Sequence, residues 1–301
     1  MHRTLLFIIS ILNCPFVFAD INITPSEVYA KALLLEQETL ILKQHLQITD
    51  TPTTERIIKQ VLYPRHVWQK TYFISLKISN FRKQHQFPIL NSNSLEPVLS
   101  IDPILPYEQI QRLLTEVRIL KQRLGISAIA TKVKQQHSKT PTDVFNKLHT
   151  ISLCWDTINR QEVSSNIVFA ELMRLYDDVN ILLAWLKIED NTYPPEKVKS
   201  TTPYNTLQST FELMRELQRL QQSVGLPRAE FIGFLETQQV IAADVLNMVG
   251  MNLAETQIIK AHLGLKHKLT PPAEFFSNKR PADVYQLMRW IIRKLRLIQH
   301  L

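Results

Sequence analysis

The same helix-start motif occurs three times in this chain, and it constrains the fold more than any other sequence feature. Residues 25–29 read PSEVY, residues 141–145 read PTDVF and residues 281–285 read PADVY. Proline suits the first helical position, because its missing N–H would be unpaired there anyway. Thr24 and Thr140 precede the first two prolines, and a threonine cap with an acid three residues later is a capping box. The motif therefore predicts three helix N-termini, of which the third lacks the capping threonine.

The residues that follow each start carry the same apolar pattern. Apolar side chains recur at steps of four and three, which keeps them on one face of a helix. The three stripes are Val28, Ala32, Leu35 and Leu42; Val144, Leu148, Ile151, Trp155 and Ile158; and Val284, Met288, Ile291, Leu295 and Ile298. The same helix start, followed three times by apolar residues at matching positions, indicates internal duplication.

Glycine usage points to a helical protein. The chain has only 5 glycines, and Gly125, Gly225 and Gly264 each stand between two apolar residues at the end of a helical pattern. Glycine just past a helix end adopts the left-handed conformation without strain. No clear alternating strand pattern is present, and Leu, Gln, Lys and Glu are abundant. We therefore predict an all-α fold with about eight main helices, in a helical-repeat or bundle architecture.

Two of the predicted helices match each other closely, although the second is three residues longer. The helix that follows Pro106 and the helix that follows Pro203 both open with Pro-Tyr and both end on the glycine signal. Most of their apolar positions coincide at an offset of one hundred residues. This match predicts two related three-helix units, residues 20–126 and 127–226, and a partial third unit, residues 227–301.

The first nineteen residues have the features of a secretory signal peptide. A weakly basic start precedes an apolar run over residues 5–12, and residues 17–19 read VFA before the predicted cleavage after Ala19. The run is too short to span a bilayer. Cys14 suggests a lipoprotein alternative, although Asn13 fits that motif poorly. We expect a soluble periplasmic or secreted protein, whose single remaining cysteine, Cys154, is a buried apolar residue rather than a reactive thiol.

The sequence contains few patterns that carry chemistry. No two histidines stand three or four residues apart, no phosphate-binding glycine loop can be written, and no nucleophile motif is present. We therefore expect no metal and no cofactor, and we favour a protein that is not an enzyme. The exception is Asp177-Asp178 with Glu171 earlier on the same helix. These acids are candidates for general acid–base catalysis in a secreted hydrolase, or they form a solvated helix face.

Candidate binding residues are Trp185, at the end of a predicted helix, and Arg289, Arg293 and Arg296 on the basic final helix. A basic amphipathic helix can lie on anionic lipid or pack its apolar stripe against neighbouring helices, and we favour packing. Nucleic acid is not an expected partner of an exported protein without a basic–aromatic surface pattern. The favoured function is binding of a protein partner or envelope component. A secreted hydrolase and a peripheral membrane protein remain the alternatives.

Overall fold

A computed structural model describes residues 22–50, 60–89, 96–134, 136–228, 240–299 and 301. Within these ranges it contains eight helices and no strand, which confirms the all-α prediction. The helices are α1 (Pro25–His45), α2 (Pro64–Gln84), α3 (Ile104–Arg123), α4 (Pro141–Asn159), α5 (Ser165–Trp185), α6 (Pro203–Ser223), α7 (Ala242–His262) and α8 (Pro281–Leu297). The predicted signal peptide lies outside the described residues.

The predicted helix starts form as capping boxes. The Thr24 N–H donates to Glu27 Oε2 at 2.7 Å, and the Thr140 N–H donates to Asp143 Oδ2 at 2.8 Å. At α8 the acid still accepts from the cap backbone, at 2.9 Å from the Arg280 N–H, but no side chain caps in return. The first two boxes close in both directions, and the third is incomplete, as its sequence predicts.

Helices α1 to α4 run in the same direction. Pro25, Pro64, Pro103 and Pro141, which stand at the N-terminal ends of these four helices, surround one shallow pit. The N-terminal residues of α5, α6, α7 and α8 surround a second pit in the same way. A helix of 21 residues is about 31 Å long, and a return connection of about 18 residues reaches up to about 60 Å when extended. The long connections can therefore carry the chain back along each helix.

The packing groups the helices four by four. Helices α1 and α2 each contact α3 and α4, and we call this group the first bundle. Helices α5 and α6 each contact α7 and α8, which form the second bundle. The core of each bundle is formed by the buried positions that recur every three and four residues along its helices. The stripes predicted for α1, α4 and α8 are buried throughout, and α2, α3, α5, α6 and α7 bury the same positions.

The two bundles meet mainly through α2 and α7, which run antiparallel. Arg65 at the start of α2 pairs with Glu255 near the end of α7, while Lys70 further along α2 donates to Asn247 near the start of α7. Gly250 lies at the close approach, because a Cβ there would be 2.5 Å from Cε2 of Phe73.

Helix α4 packs with α1 and α2 and has no contact with α5 or α6 in the described part of the chain. The reason is the connection of residues 160–164, which is too short to run back along a helix. The chain reverses there and begins the second bundle. The boundaries at 126 and 226 rest on the similarity of the helix ends and stay a prediction.

Each bundle contains a buried ion pair at the same place. Glu38 on α1 pairs with Lys121 on α3, and Asp178 on α5 pairs with Lys260 on α7. Both acids stand thirteen residues after the first residue of their helix.

None of the eight described helices combines the length and apolar composition that crossing a bilayer requires.

Candidate binding cleft between the two bundles

The paired acids of α5 have separate environments. Asp178 is fully buried, and its Oδ1 accepts from Lys260 Nζ at 2.5 Å. Its Oδ2 accepts from Gln257 Nε2 and Thr270 Oγ1, both at 2.7 Å. Asp177 is partly exposed, and partial burial together with the charge of Asp178 raises its pKa. The hydrogen bonds of Asp178 are those of a structural carboxylate, so the two neighbours do not face one accessible site.

The arginines of α8 are engaged within the second bundle. Arg289 pairs with Glu212, and Arg296 Nε lies 2.7 Å from Glu216 Oε1. Arg293 donates to the Tyr193 carbonyl oxygen at 3.2 Å. These contacts cross from α8 to α6 and to the connection after α5, and they compensate part of the positive charge of the final helix.

Trp185 is the last residue of α5, and its side chain is 52% exposed. Among the described residues no hydrogen bond or cation–π contact joins it to Arg289, Arg293 or Arg296. The four candidate binding residues therefore do not assemble into one contact cluster.

A cleft opens where α2 faces the second bundle beside the α2–α7 contact, and its cavity volume is about 350 Å³. This volume lies within the range of ligand sites, which are concave and mostly apolar with a few placed polar groups. The α4–α5 connection and the segment 273–276 form its other borders. The apolar side chains that line it include those of Phe73, Leu76, Ile167, Ala170, Leu246 and Phe276.

One wall of the cleft carries an ion pair. Lys77 Nζ lies 2.7 Å from Asp156 Oδ2 and 2.8 Å from Ser152 Oγ. Burial lowers the pKa of Lys77 and raises the pKa of Asp156, while the opposite charge of each group opposes the shift in the other. The ammonium of Lys77 is therefore held by α4 and is not directed to an incoming ligand.

Glu171 supplies a buried carboxyl group to the cleft. It is 1% exposed, and its Oε2 accepts from Arg174 Nη1 at 2.6 Å. Its Oε1 is buried and has no hydrogen-bond partner. Burial raises the pKa of Glu171, and the guanidinium of Arg174 opposes that shift. Of the three acids that the sequence analysis singled out on α5, Glu171 is the one that lines the cleft.

A second carboxyl group lies behind Glu171. Glu96, on the α2–α3 connection, is 3.5 Å from Arg174 Nη2, so two acids share one guanidinium. With its amide NH₂ turned toward Glu96, Gln69 donates to both carboxyl oxygens at 3.1 Å. Burial raises the pKa of Glu96 to about 8, although the charge of Arg174 lowers it. The cluster therefore holds a proton at neutral pH.

The sequence analysis missed most of the cleft. Lys77 and Asp156 gave no signal, because each is one of several polar residues on an ordinary amphipathic helix. Phe275 and Phe276 were a usable signal, since an aromatic pair in a polar connection is uncommon, and Phe275 is 90% exposed at the border of the cleft.

In the described ranges no group of three or more His, Cys, Asp and Glu side chains is placed to hold a metal ion. The arrangement can bind a ligand through apolar contact and a few polar groups. Comparison of the chain with known protein families, curated proteins and solved structures found no match.

Proposed function

We propose that this chain is an exported helical-repeat protein that acts by binding, and that the cleft between the bundles receives a protein partner or envelope component. The observation that carries the proposal is the cleft itself, which joins an apolar wall to a buried carboxyl oxygen without a partner. A buried acceptor left unsatisfied costs about 1–3 kcal/mol, so a ligand that donates to it gains affinity.

The repeat character is part of the same proposal. The matching ion pairs, Glu38 with Lys121 and Asp178 with Lys260, support duplication of one four-helix bundle. The two pits formed by the helix N-termini support it as well. Stacked helical units expose grooves between them, and such arrays act most often through binding.

The two alternatives have less support. A hydrolase would need accessible acids, and Asp178 is buried and saturated with hydrogen bonds. A membrane surface would need free cations on α8, and Arg289 and Arg296 already pair with acids of α6. Co-sedimentation of the protein with anionic vesicles at low salt would restore the membrane alternative.

The test fills the cleft with a large side chain. Ala170 lines the cleft and is buried, whereas Ala184 on the same helix is exposed, so Ala170→Trp and Ala184→Trp are a matched pair. A partner is captured from envelope extract with the wild-type protein, purified, and titrated against both variants by calorimetry. We expect Ala170→Trp to lose at least tenfold in affinity and Ala184→Trp to stay within twofold.

Circular dichroism confirms that both variants are folded before the titration. Equal affinity of the two folded variants for the purified partner would refute the cleft as the binding site.

A further inference from the structure

We propose that the cleft is a site for a primary alkylammonium group, whose alkyl chain packs on the apolar wall and whose ammonium donates to Glu171. This inference rests on the proposed function and adds the chemical class of the group that is bound. The wall is the surface that Phe73, Leu246 and Phe276 contribute to the cleft.

Glu171 has one carboxyl oxygen that no donor among the described residues uses. Arg174 occupies Oε2 of Glu171 at 2.6 Å, and Oε1 stays buried without a partner. A buried carboxylate oxygen gains more from a charged donor than from a neutral one, because opposite charges attract each other strongly where water is excluded. The site therefore favours a cationic donor over an alcohol or amide of the same shape.

The residues that line the cleft include more acids than bases. Four carboxyl side chains line the cleft, those of Asp156, Glu162, Glu171 and Glu274, whereas Lys77 and Lys83 are the two cations among its lining residues. Lys77 is held by Asp156, and Arg174 pairs with Glu171, so the remaining excess is that of Glu162 and Glu274 over Lys83. The chain as a whole has a formal net charge of +8, so this excess of acids runs against its general composition. An excess of negative charge around a small apolar cleft attracts cations and repels carboxylates.

The number of free carboxyl oxygens distinguishes an ammonium ligand from a guanidinium ligand. A guanidinium binds carboxylates best through two parallel hydrogen bonds, which need both oxygens. Arg174 already holds one oxygen of Glu171, so a single acceptor remains. A compact ammonium can use a single acceptor, and the apolar wall then covers its methylene chain. The geometry therefore favours an alkylammonium, as in lysine, over a guanidinium, as in arginine.

The experiment measures the binding of four hexyl probes to the full protein by calorimetry at pH 7: n-hexylammonium, n-hexanol, hexanoate and n-hexylguanidinium. We expect n-hexylammonium to bind at least tenfold more tightly than each of the other three. Comparable binding of n-hexanol, or tighter binding of n-hexylguanidinium, would overturn the proposal without any mutation.

A pair of variants locates the contact. Glu171→Gln and Glu274→Gln each remove one carboxylate from the lining of the cleft, but Glu171 is buried and Glu274 is exposed. We expect Glu171→Gln to weaken n-hexylammonium at least tenfold and Glu274→Gln to weaken it by no more than threefold. Equal effects would show a diffuse attraction instead of a contact with Glu171. If Glu171→Gln does not fold, the ranking of the four probes still decides.

Two further arms identify the source of the amine. The peptide Gly-Lys-Gly is compared with its norleucine counterpart, and both are compared with free n-hexylammonium. Tighter binding of the lysine peptide than of its norleucine counterpart assigns the site to a lysine side chain of a partner. Binding of the free amine alone assigns it to a small molecule, and either result supports an alkylammonium site.

Failure of this inference differs from failure of the proposed function. Loss of the captured partner in Ala170→Trp with no response to n-hexylammonium would keep the cleft and reject the amine. If Ala170→Trp still binds the captured partner but no longer binds n-hexylammonium, the cleft is rejected as the partner site.

Discussion

Replacement of Gly250 by alanine should destabilise this protein, although the same change stabilises most helices. Gly250 lies inside α7, where alanine is favoured over glycine by about 1 kcal/mol. An added Cβ would lie 2.5 Å from Cε2 and 2.9 Å from Cζ of Phe73, and 3.1 Å from Cγ of Gln69. All three atoms belong to α2, so the clash falls on the contact between the bundles.

The magnitude follows from two opposing terms. The helix gains about 1 kcal/mol from the lost glycine, and forcing a methyl group into a packed contact costs about 1–3 kcal/mol. We expect Gly250→Ala to lower the free energy of unfolding by up to about 2 kcal/mol. In a Phe73→Leu background the ring is gone, and the same change should raise stability by up to about 1 kcal/mol.

The assay is guanidinium denaturation followed by far-ultraviolet circular dichroism on the four proteins of this cycle. Ala184→Gly, on an exposed face in the last turn of α5, measures the glycine effect in the same protein and should cost up to about 1 kcal/mol. If Gly250→Ala raises stability equally with and without the phenyl ring, the steric reasoning is wrong.

Three further predictions follow from the buried polar groups. Asp178→Asn leaves Lys260 buried without its counter-charge and should cost about 3–5 kcal/mol in urea denaturation, with most of the loss recovered by adding Lys260→Met; a loss below about 1 kcal/mol would contradict this. Burial raises the pKa of Glu96 to about 8. Between pH 5 and pH 8 Glu96 is therefore more protonated in the folded state than in the unfolded state, and its contribution to stability falls as pH rises. Glu96→Gln should flatten that slope by as much as about 1.4 kcal/mol per pH unit, and identical slopes in both proteins would contradict the assignment. Burial also raises the pKa of Cys154 to about 11, so a thiol reagent should label it only after unfolding, and labelling in native buffer would show an accessible thiol.

Helix positions could be predicted from the sequence because their signals are local. Proline at position 141, its capping threonine and the stripe from Val144 to Ile158 fix one start and one buried face, and α4 forms there. The end of α3 follows in the same way from Gly125, which has a φ of 73°. The direction and pairing of the helices could not be predicted, because an apolar seam has the same pattern beside a parallel or an antiparallel neighbour.

The candidate site was predictable only in part. Glu171 drew attention as an acid on an amphipathic helix, but Glu96, which shares Arg174 with it, stands in a connection that carries no periodic signal. Buried polar residues look like surface residues in a sequence until packing places them. For the same reason Asp178 looked like a possible catalytic acid, although Lys260, far along the chain, compensates its charge.

The order in which the helices contact one another has a consequence for folding. Helix α1 packs on α3 and α4, and in the described part of the chain it makes no contact with α2, the next helix. An antiparallel bundle can begin from a hairpin of neighbouring helices, whereas here the first native partner of α1 lies beyond α2 and two long connections. The entropy of closing such a loop is lost before any packing is gained, and a high contact order slows folding. During synthesis, α1 must leave the ribosome with its apolar stripe uncovered and wait for α3.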